Sequence, residues 1–431
     1  MTRPAGIAPR GADAVVVGAG IIGLFVALEL AGRGLGVVVL DRSTPGRAAS
    51  VRNGGGVRLQ GRAILEIPLA REALDLWDGL DDRLGAPTGF RRCGHLAVAY
   101  TAGQLESLHE RASRERPHGV NPEPVDAATV REMAPGLAPT YTGGVFSAPD
   151  GMAVPELTMS ALIGAAERAG VTIVGGAAVD GIDVAAGKVT AVRAGELTVA
   201  TNLAVNAAGP WSPTVAALVD DYLPVTPSRL HMFRTVPLAR FADVWVASAA
   251  MDFNGVQWTD GSVVFGAATR PDPTQYTFSL AHAGVAARQA RTKLAELAPA
   301  LAAAPFQGRW TGVREFAPDM IPIIGPGPVD GYFTCTGFSG HGFALAPAVG
   351  RHVAGWLESG ERPPVLRPFD PGRFATPTGP FARTPAPWGG ATTAIASADT
   401  RLLEFTADDG PATASSGVPA AMPAIPHQET A

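Results

Sequence analysis

The sequence predicts a mixed α/β (α+β) fold: a discontinuous domain built on short parallel strands, with an antiparallel β-rich domain inserted into it. Three observations predict this. A glycine-rich loop, Gly18-Ala19-Gly20-Ile21-Ile22-Gly23, joins the apolar run Ala14-Val15-Val16-Val17 to a helix-like run. A second loop, Gly337-Phe338-Ser339-Gly340-His341-Gly342-Phe343, stands about three hundred residues later in the same strand-to-helix context. Between them lies a long stretch that reads largely as strands broken by glycine turns. One such loop suggests a bound dinucleotide. Two suggest that both ends of one long cofactor are gripped by a single Rossmann-like domain folded from distant segments.

Residues 13–17 read as a buried parallel strand, short, Val-rich and without alternation. A helix follows over 21–33, closed by Gly34 and Gly36. Val37 to Leu40 is a second buried strand, ending at Asp41, which completes a βαβ unit of about thirty residues. Residues 61–80 and 101–116 read as helices, His95 to Tyr100 as a strand, and Val125 to Met133 as a short capped helix. Residues 155–169 are helical, Val171 to Val174 is a strand, and 177–205 alternates strands with turns. The stretch 225–268 reads as antiparallel β and 283–298 as a helix. Strands at Trp310 to Arg314 and Tyr332 to Thr336 and a helix at 345–358 complete the order. Beyond Pro371 the chain turns to Pro, Ala, Thr, Ser and Gly, the composition of a disordered tail.

The 431 residues are 46% hydrophobic and 17% charged, so a large core is available. The net charge of −5 and the lack of a Lys/Arg cluster argue against nucleic acid as a partner. No apolar run reaches the roughly 18 residues of a membrane span. The start of the chain has no signal-peptide pattern, and a cytoplasmic protein is expected. With only Cys93 and Cys335, neither a disulfide framework nor a cysteine-based metal site is expected, and no metal site of any kind is assigned.

In the first loop, Gly18 permits the tight turn, Gly20 lets backbone approach a pyrophosphate, and Gly23 lets helix pack on strand. The N-terminus of the helix, at Ile21 and Ile22, offers N–H groups to phosphate. Asp41, 18 residues past Gly23, suits the adenosine ribose hydroxyls and would repel a 2′-phosphate. This unit alone leaves NAD and FAD open. The turn Val205-Asn206-Ala207-Ala208-Gly209-Pro210-Trp211 lets backbone pass close to a cofactor, or is a plain Gly-Pro turn. The N–H groups of 337–343 could face the charge of a reduced flavin, with His341 either assisting or capping the helix.

At this point the chain resembles the FAD-dependent amino acid oxidoreductases of the D-amino acid oxidase type, the group of glycine oxidase, sarcosine oxidase and the β subunits of proline dehydrogenase and opine oxidase. The carrying motifs are the two loops, Ser50-Val51-Arg52-Asn53-Gly54-Gly55-Gly56-Val57-Arg58, Asp150-Gly151, Asn206 to Trp211, Trp310-Thr311-Gly312-Val313-Arg314, and Pro318 to Gly325. The likeness covers residues 13 to about 373. It implies an FAD-binding domain at 13–90, 150–215 and 316–373, a substrate-binding domain at 91–149 and 216–315, and a tail at 374–431. It implies flavin contacts at Gly18, Gly20, Ile21, Ile22, Gly23, Asp41, Arg42, Ser50, Arg52, Asn53, Gly54, Gly55, Val179, Ala208, Gly209, Trp211, Gly325, Phe338, Ser339, Gly340, His341, Gly342 and Phe343. The stretch from Gly312 to Asp319 has no cysteine, so a thioether to the flavin through that loop is excluded; attachment through a histidine stays open, and non-covalent FAD is expected.

The resemblance implies oxidation of the CH–NH bond of a small amino acid, secondary, N-substituted or D, to an imine by hydride transfer to flavin N5. Such a reaction needs a neutral amine and a cation for the carboxylate. Arg314, at the family's Gly-Leu-Arg position, is the first candidate; its alternative is a structural pairing with Glu315 or Asp319. Arg58 is the second, its alternative a partner for flavin phosphate or an acid. His231 could face the ring or substrate, or be structural, and His341 joins Arg314 as the catalytic pair expected. Cys335 reads as core, and Trp211, Trp258 and Trp310 as packing. The electron acceptor is oxygen or a partner, with a second redox subunit possible. Two other readings are an aromatic hydroxylase, which lacks its Asp-Gly motif here, and a flavin-binding subunit or assembly factor without turnover.

Overall fold

A computed structural model of the protein describes residues 9–250, 253–267, 291–292 and 294–374. Six strands form the central sheet in the order Ile323–Pro326, Tyr332–Thr336, Ala204–Asn206, Ala14–Val17, Val37–Leu40 and Thr172–Val174. Neighbours run parallel, except that Ile323–Pro326 is antiparallel to Tyr332–Thr336 at the edge. Ala14–Val17 and Val37–Leu40 are buried along their whole length, as expected of strands covered on both faces.

One face is covered by the helices Ile21–Ala31, Pro155–Arg168 and Gly342–Ser359, whose Leu24, Phe25, Leu162, Leu345 and Val349 share a core with Val16 and Val39. Ile21–Ala31 is apolar nearly all round because it is buried nearly all round. Gly350 makes its close packing possible: a Cβ there would lie 2.8 Å from Phe25 backbone. The other face carries the three-stranded sheet Gly181–Ala185, Lys188–Ala194 and Leu197–Ala200, where Val189, Val192 and Val199 meet Val15, Val17, Val38 and Leu40.

A second, eight-stranded sheet runs Phe306–Phe316, Thr226–Thr235, Val263–Ala267, Asn254–Gln257, Trp245–Ser248, His95–Ala99, Gly143–Ser147 and Glu123–Asp126. Its own core is aromatic, with Phe233, Phe241, Phe253 and Phe265. One junction differs from the all-antiparallel expectation. Trp245–Ser248 pairs parallel with His95–Ala99 and so fuses two distant segments of chain into one sheet.

The helices expected at 101–116 and 125–133 occur as Ala102–Glu115 and Ala127–Met133. Thr101 and Asp126 cap them by accepting from the N–H groups of Gln104 and Thr129. The single helix expected over 61–80 is instead a 3₁₀ turn at Ile64–Glu66, a helix at Ile67–Asp78 and, past Gly79, a new helix at Leu80–Leu84. Pro68 in the first turn sets that start. Most of the helix expected at 283–298, and the tail beyond Phe374, lie outside the described residues.

Candidate functional site

A long cleft opens along the C-terminal ends of the parallel strands and continues under the edge strand Phe306–Phe316 of the second sheet. Among the described residues its wall is drawn from seven separate stretches of chain, around residues 17–22, 40–53, 177–179, 207–215, 230, 312–315 and 338–343. This is the crevice where open α/β sheets bind ligands.

The first loop is built for close approach. Gly18 has φ +108°, and a Cβ there would lie 2.5 Å from the Ala207 carbonyl oxygen, so the chain leaves two neighbouring parallel strands with no room between the two exits. Gly23 faces the Gly18 carbonyl oxygen, 2.0 Å from where its Cβ would be, and is therefore a packing residue rather than part of the wall. Gly20 differs: only Ser50 Oγ, at 3.3 Å, stands before it, leaving a cradle that a side chain would fill. The helix lacks a side-chain cap of its own at Gly20, and Ser50 Oγ accepts from the Ile21 N–H at 2.9 Å instead. Asp41 holds the loop from the next strand. Its Oδ2 accepts from the Ala19 N–H at 2.8 Å, and its Oδ1 from the Ser43 N–H and hydroxyl at 2.8 and 3.1 Å. Burial pushes the Asp41 carboxyl up, and the Ser43 and Ala19 amides pull it back. Arg42 lies 4.8 Å over the Trp211 ring at this end, and Val179 also lines the wall.

At mid-cleft, Arg52 ties the loop to the second sheet. It is 1% exposed, and it donates from Nε to the Arg47 carbonyl and from Nη1 to the Thr311 carbonyl, both at 2.9 Å. Burial, then Arg47, lowers it to about 10. Asn53 Nδ2 donates to the Ser50 carbonyl at 2.8 Å, and its Oδ1 accepts from the Gly55 N–H at 2.7 Å. Gly54 and Gly55 lie behind the wall, where a Cβ would come within 2.7 Å of Trp245 and 1.9 Å of the Ala153 carbonyl oxygen. Ala208 and Gly209 border the cleft on a turn held by Asn206, which donates to the Ser212 carbonyl and the Tyr332 hydroxyl.

In the second loop Phe338, Gly340, Gly342 and Phe343 face the cleft. Ser339 is buried at φ +52°, a conformation unusual for a residue with a side chain. Its hydroxyl accepts from the Ala317 N–H and donates to the Gly337 carbonyl, both at 3.1 Å, and so holds the turn from behind. His341 points away from the wall. Its Nδ1 stands 3.0 Å from the buried carboxylate of Glu66, and burial, with Arg62 nearby, lowers it to about 4. A neutral imidazole donating to Glu66 fits that setting.

Strand alternation sorts the substrate candidates. Arg314, Gly312, Trp310, Leu230 and Met232 share one face, because Ser228, Leu230 and Met232 pair with Arg314, Gly312 and Trp310. His231 is on the opposite face, its Nδ1 2.9 Å from Thr311 Oγ1. Arg58 lies off the wall in a buried polar cluster, donating to the carbonyls of Gln60 and Gly61 at 2.6 and 3.2 Å. Gly325 sits on the outer edge strand, where a Cβ would fall 2.6 Å from Pro371. Arg314 alone of the substrate candidates is on the wall. Its guanidinium covers the Phe316 ring at 4.8 Å, and among the described residues it has no hydrogen-bond or ion-pair partner; its Nε is fully buried. Asp319 is taken by Arg373 at 2.7 Å, and Glu315 makes no ion pair with Arg314. Burial lowers Arg314 to about 10, so it stays charged near neutrality. The sequence reading missed Leu230, Val313 and Glu315 as wall residues; the signal for the last two was their place beside Arg314 at the end of the strand.

The model of the FAD dependent oxidoreductase family DAO matches residues 13–356. The chain belongs to this family. Its cofactor is accordingly FAD, and the open cradle at Gly20, the free turn at Ala208–Gly209 and the long cleft fit that group. The chain is 29% identical to a glycine oxidase of Pseudomonas aeruginosa over 371 residues, 82% of this chain and 96% of that protein. It is 27% identical to the bifunctional protein ThiO/ThiG of Trichormus variabilis over 84% of this chain, but spans only 55% of that longer protein. Among solved structures, L-proline dehydrogenase from P. horikoshii matches with a TM-score of 0.78 and 25% identity, covering 85% of this chain and 99% of that one. Among the described residues no helix is long and apolar enough to cross a membrane.

Proposed function

We propose that this FAD-dependent oxidoreductase oxidises the CH–NH bond of a small amino acid whose carboxylate is held by Arg314. The observation that carries the reading is the half-buried guanidinium on the cleft wall, whose Nε is buried without a hydrogen-bond partner among the described residues. A buried donor left without an acceptor is costly, and a planar fork of donors suits a carboxylate. Bound FAD supplies the two-electron acceptor. The chain's part is to fix the substrate, keep the amine neutral and exclude water. Beside Arg314 the cleft wall is apolar at Leu230, Val313, Phe338 and Phe343, and behind Leu230 the sheet packs Met232, Trp258 and Trp310. That surface favours an N-alkyl group, a ring nitrogen or a small apolar side chain over a charged one. The glycine oxidase and proline dehydrogenase likenesses support the same substrate class. Oxygen or a partner protein takes the electrons onward, and a cytoplasmic setting belongs to the same proposal.

The test is anaerobic bleaching of the bound flavin across a panel of D-, L- and N-alkyl amino acids. Reduction by a subset sharing a free carboxylate is expected. Flavin that no member of the panel reduces would sink the reading and favour a subunit without turnover of its own.

A further inference from the structure

Among the described residues, two carboxylates border the cleft. Asp41 is at the first loop, and Glu315 is next to Arg314. Glu315 is 9% exposed, and its Oε2 lies 3.7 Å from where a Cβ of Gly209 would be, so the carboxyl reaches the Gly209 turn. It makes no ion pair among the described residues. Its charged and polar surroundings can be read element by element. Its own strand gives Arg314. The second loop gives the Phe338 amide, and the strand behind gives the buried Cys335 thiol, itself pushed up by burial. The paired strand sets Pro227 opposite Glu315 and Arg229 opposite Val313. Arg314 is thus the cation in line with it along the chain, and the same cation is needed by a carboxylate ligand.

The two demands conflict. With Glu315 ionised, Arg314 and Glu315 cancel, and a bound carboxylate would add an uncompensated negative charge to a buried cleft. With Glu315 protonated, the ligand takes Arg314 for itself and the cleft stays neutral. We infer that Glu315 is the proton-linked half of the carboxylate site: Arg314 captures a carboxylate together with one proton from solution, and Glu315 holds that proton. Burial, which raises Glu315 above the usual glutamate range, acts in the same direction. The inference rests on Arg314 as anchor.

Acetate titrated into the FAD-loaded enzyme and followed by flavin absorbance between pH 5.5 and 8.5 tests it. The Kd should be constant on the acid side and then rise tenfold per pH unit. Calorimetry in two buffers of different ionisation enthalpy should show one proton taken up per acetate on the rising limb. Glu315→Gln should flatten the profile and abolish the uptake, while Glu315→Asp should keep both. A flat wild-type profile, or a slope that survives in Glu315→Gln, overturns the inference. Arg314→Met separates the two claims. If it abolishes acetate binding while the wild-type profile is flat, the anchor stands and only the proton link fails; unchanged binding removes the anchor and both with it.

Discussion

Replacing Arg314 by Met should make the protein more stable and much less active. Burial lowers the guanidinium from 12.5 to about 10. A lowered pKa in the folded state means that folding disfavours the charged form at every pH below the folded value, and so throughout the neutral range. At about 1.4 kcal/mol per pH unit the penalty is on the order of 3 kcal/mol. The side chain is partly screened, so a gain of about 1–3 kcal/mol is expected from a Met that fills the same space, seen as a Tm higher by a few degrees. Substrate loses its buried, charge-assisted partner, worth about 2–5 kcal/mol. That predicts a fall in kcat/KM of roughly 30-fold to several thousand-fold. Thermal melts and anaerobic stopped-flow reduction of the flavin measure the two effects on one preparation. A variant that melts lower than wild type while losing activity would show that Arg314 is structural. Unchanged kcat/KM would show that the carboxylate is held elsewhere.

Further outcomes follow from the same geometry. Asp41→Asn keeps the shape but weakens one hydrogen bond to the first loop and two to Ser43; FAD retention on gel filtration should drop, with a loss of about 1–3 kcal/mol in flavin affinity. Gly18→Ala places a methyl 2.5 Å from the Ala207 carbonyl oxygen at a φ of +108°, so the flavin-free protein should lose at least about 2 kcal/mol in urea unfolding, and an undiminished midpoint would contradict the close approach described. His341 titrates at about 4 in the fold and about 6.5 when unfolded, so the unfolded chain takes its proton first and stability falls as pH drops from 6.5 to 4. Glu66, held below the usual glutamate range once its burial is offset by His341 and Arg62, acts in the same sense. In His341→Gln the acid slope should shrink by about 3 kcal/mol over that window, read from urea midpoints at several pH values.

The parallel sheet was legible because its strands are short, apolar and buried on both faces, and because each glycine loop marks a strand-to-helix turn. Local pattern carries that information. The fusion of Trp245–Ser248 with His95–Ala99 was not legible, since a parallel pairing between segments about 150 residues apart leaves no local trace. The site divides along the same line. Residues such as Gly18, Gly20 and Asp41 can be placed from spacing, because the loop geometry itself demands them, whereas Ser50 enters only through the resemblance. Arg58, Arg314 and His231 cannot be ranked that way: all three are basic residues on or near strands, and what separates them is the face each strand turns to the cleft. One residue of register decides it. His231 and Leu230 are neighbours in sequence, yet Leu230 borders the cleft while His231 bonds Thr311 behind it. Glu315 shows the converse. Alternation would send it away from Arg314, but at the end of Phe306–Phe316 the strand runs between the Gly209 turn and the second loop, and both of its sides face the cleft. A cation and an acid adjacent in sequence therefore reach one cavity without pairing, which no spacing rule would have suggested.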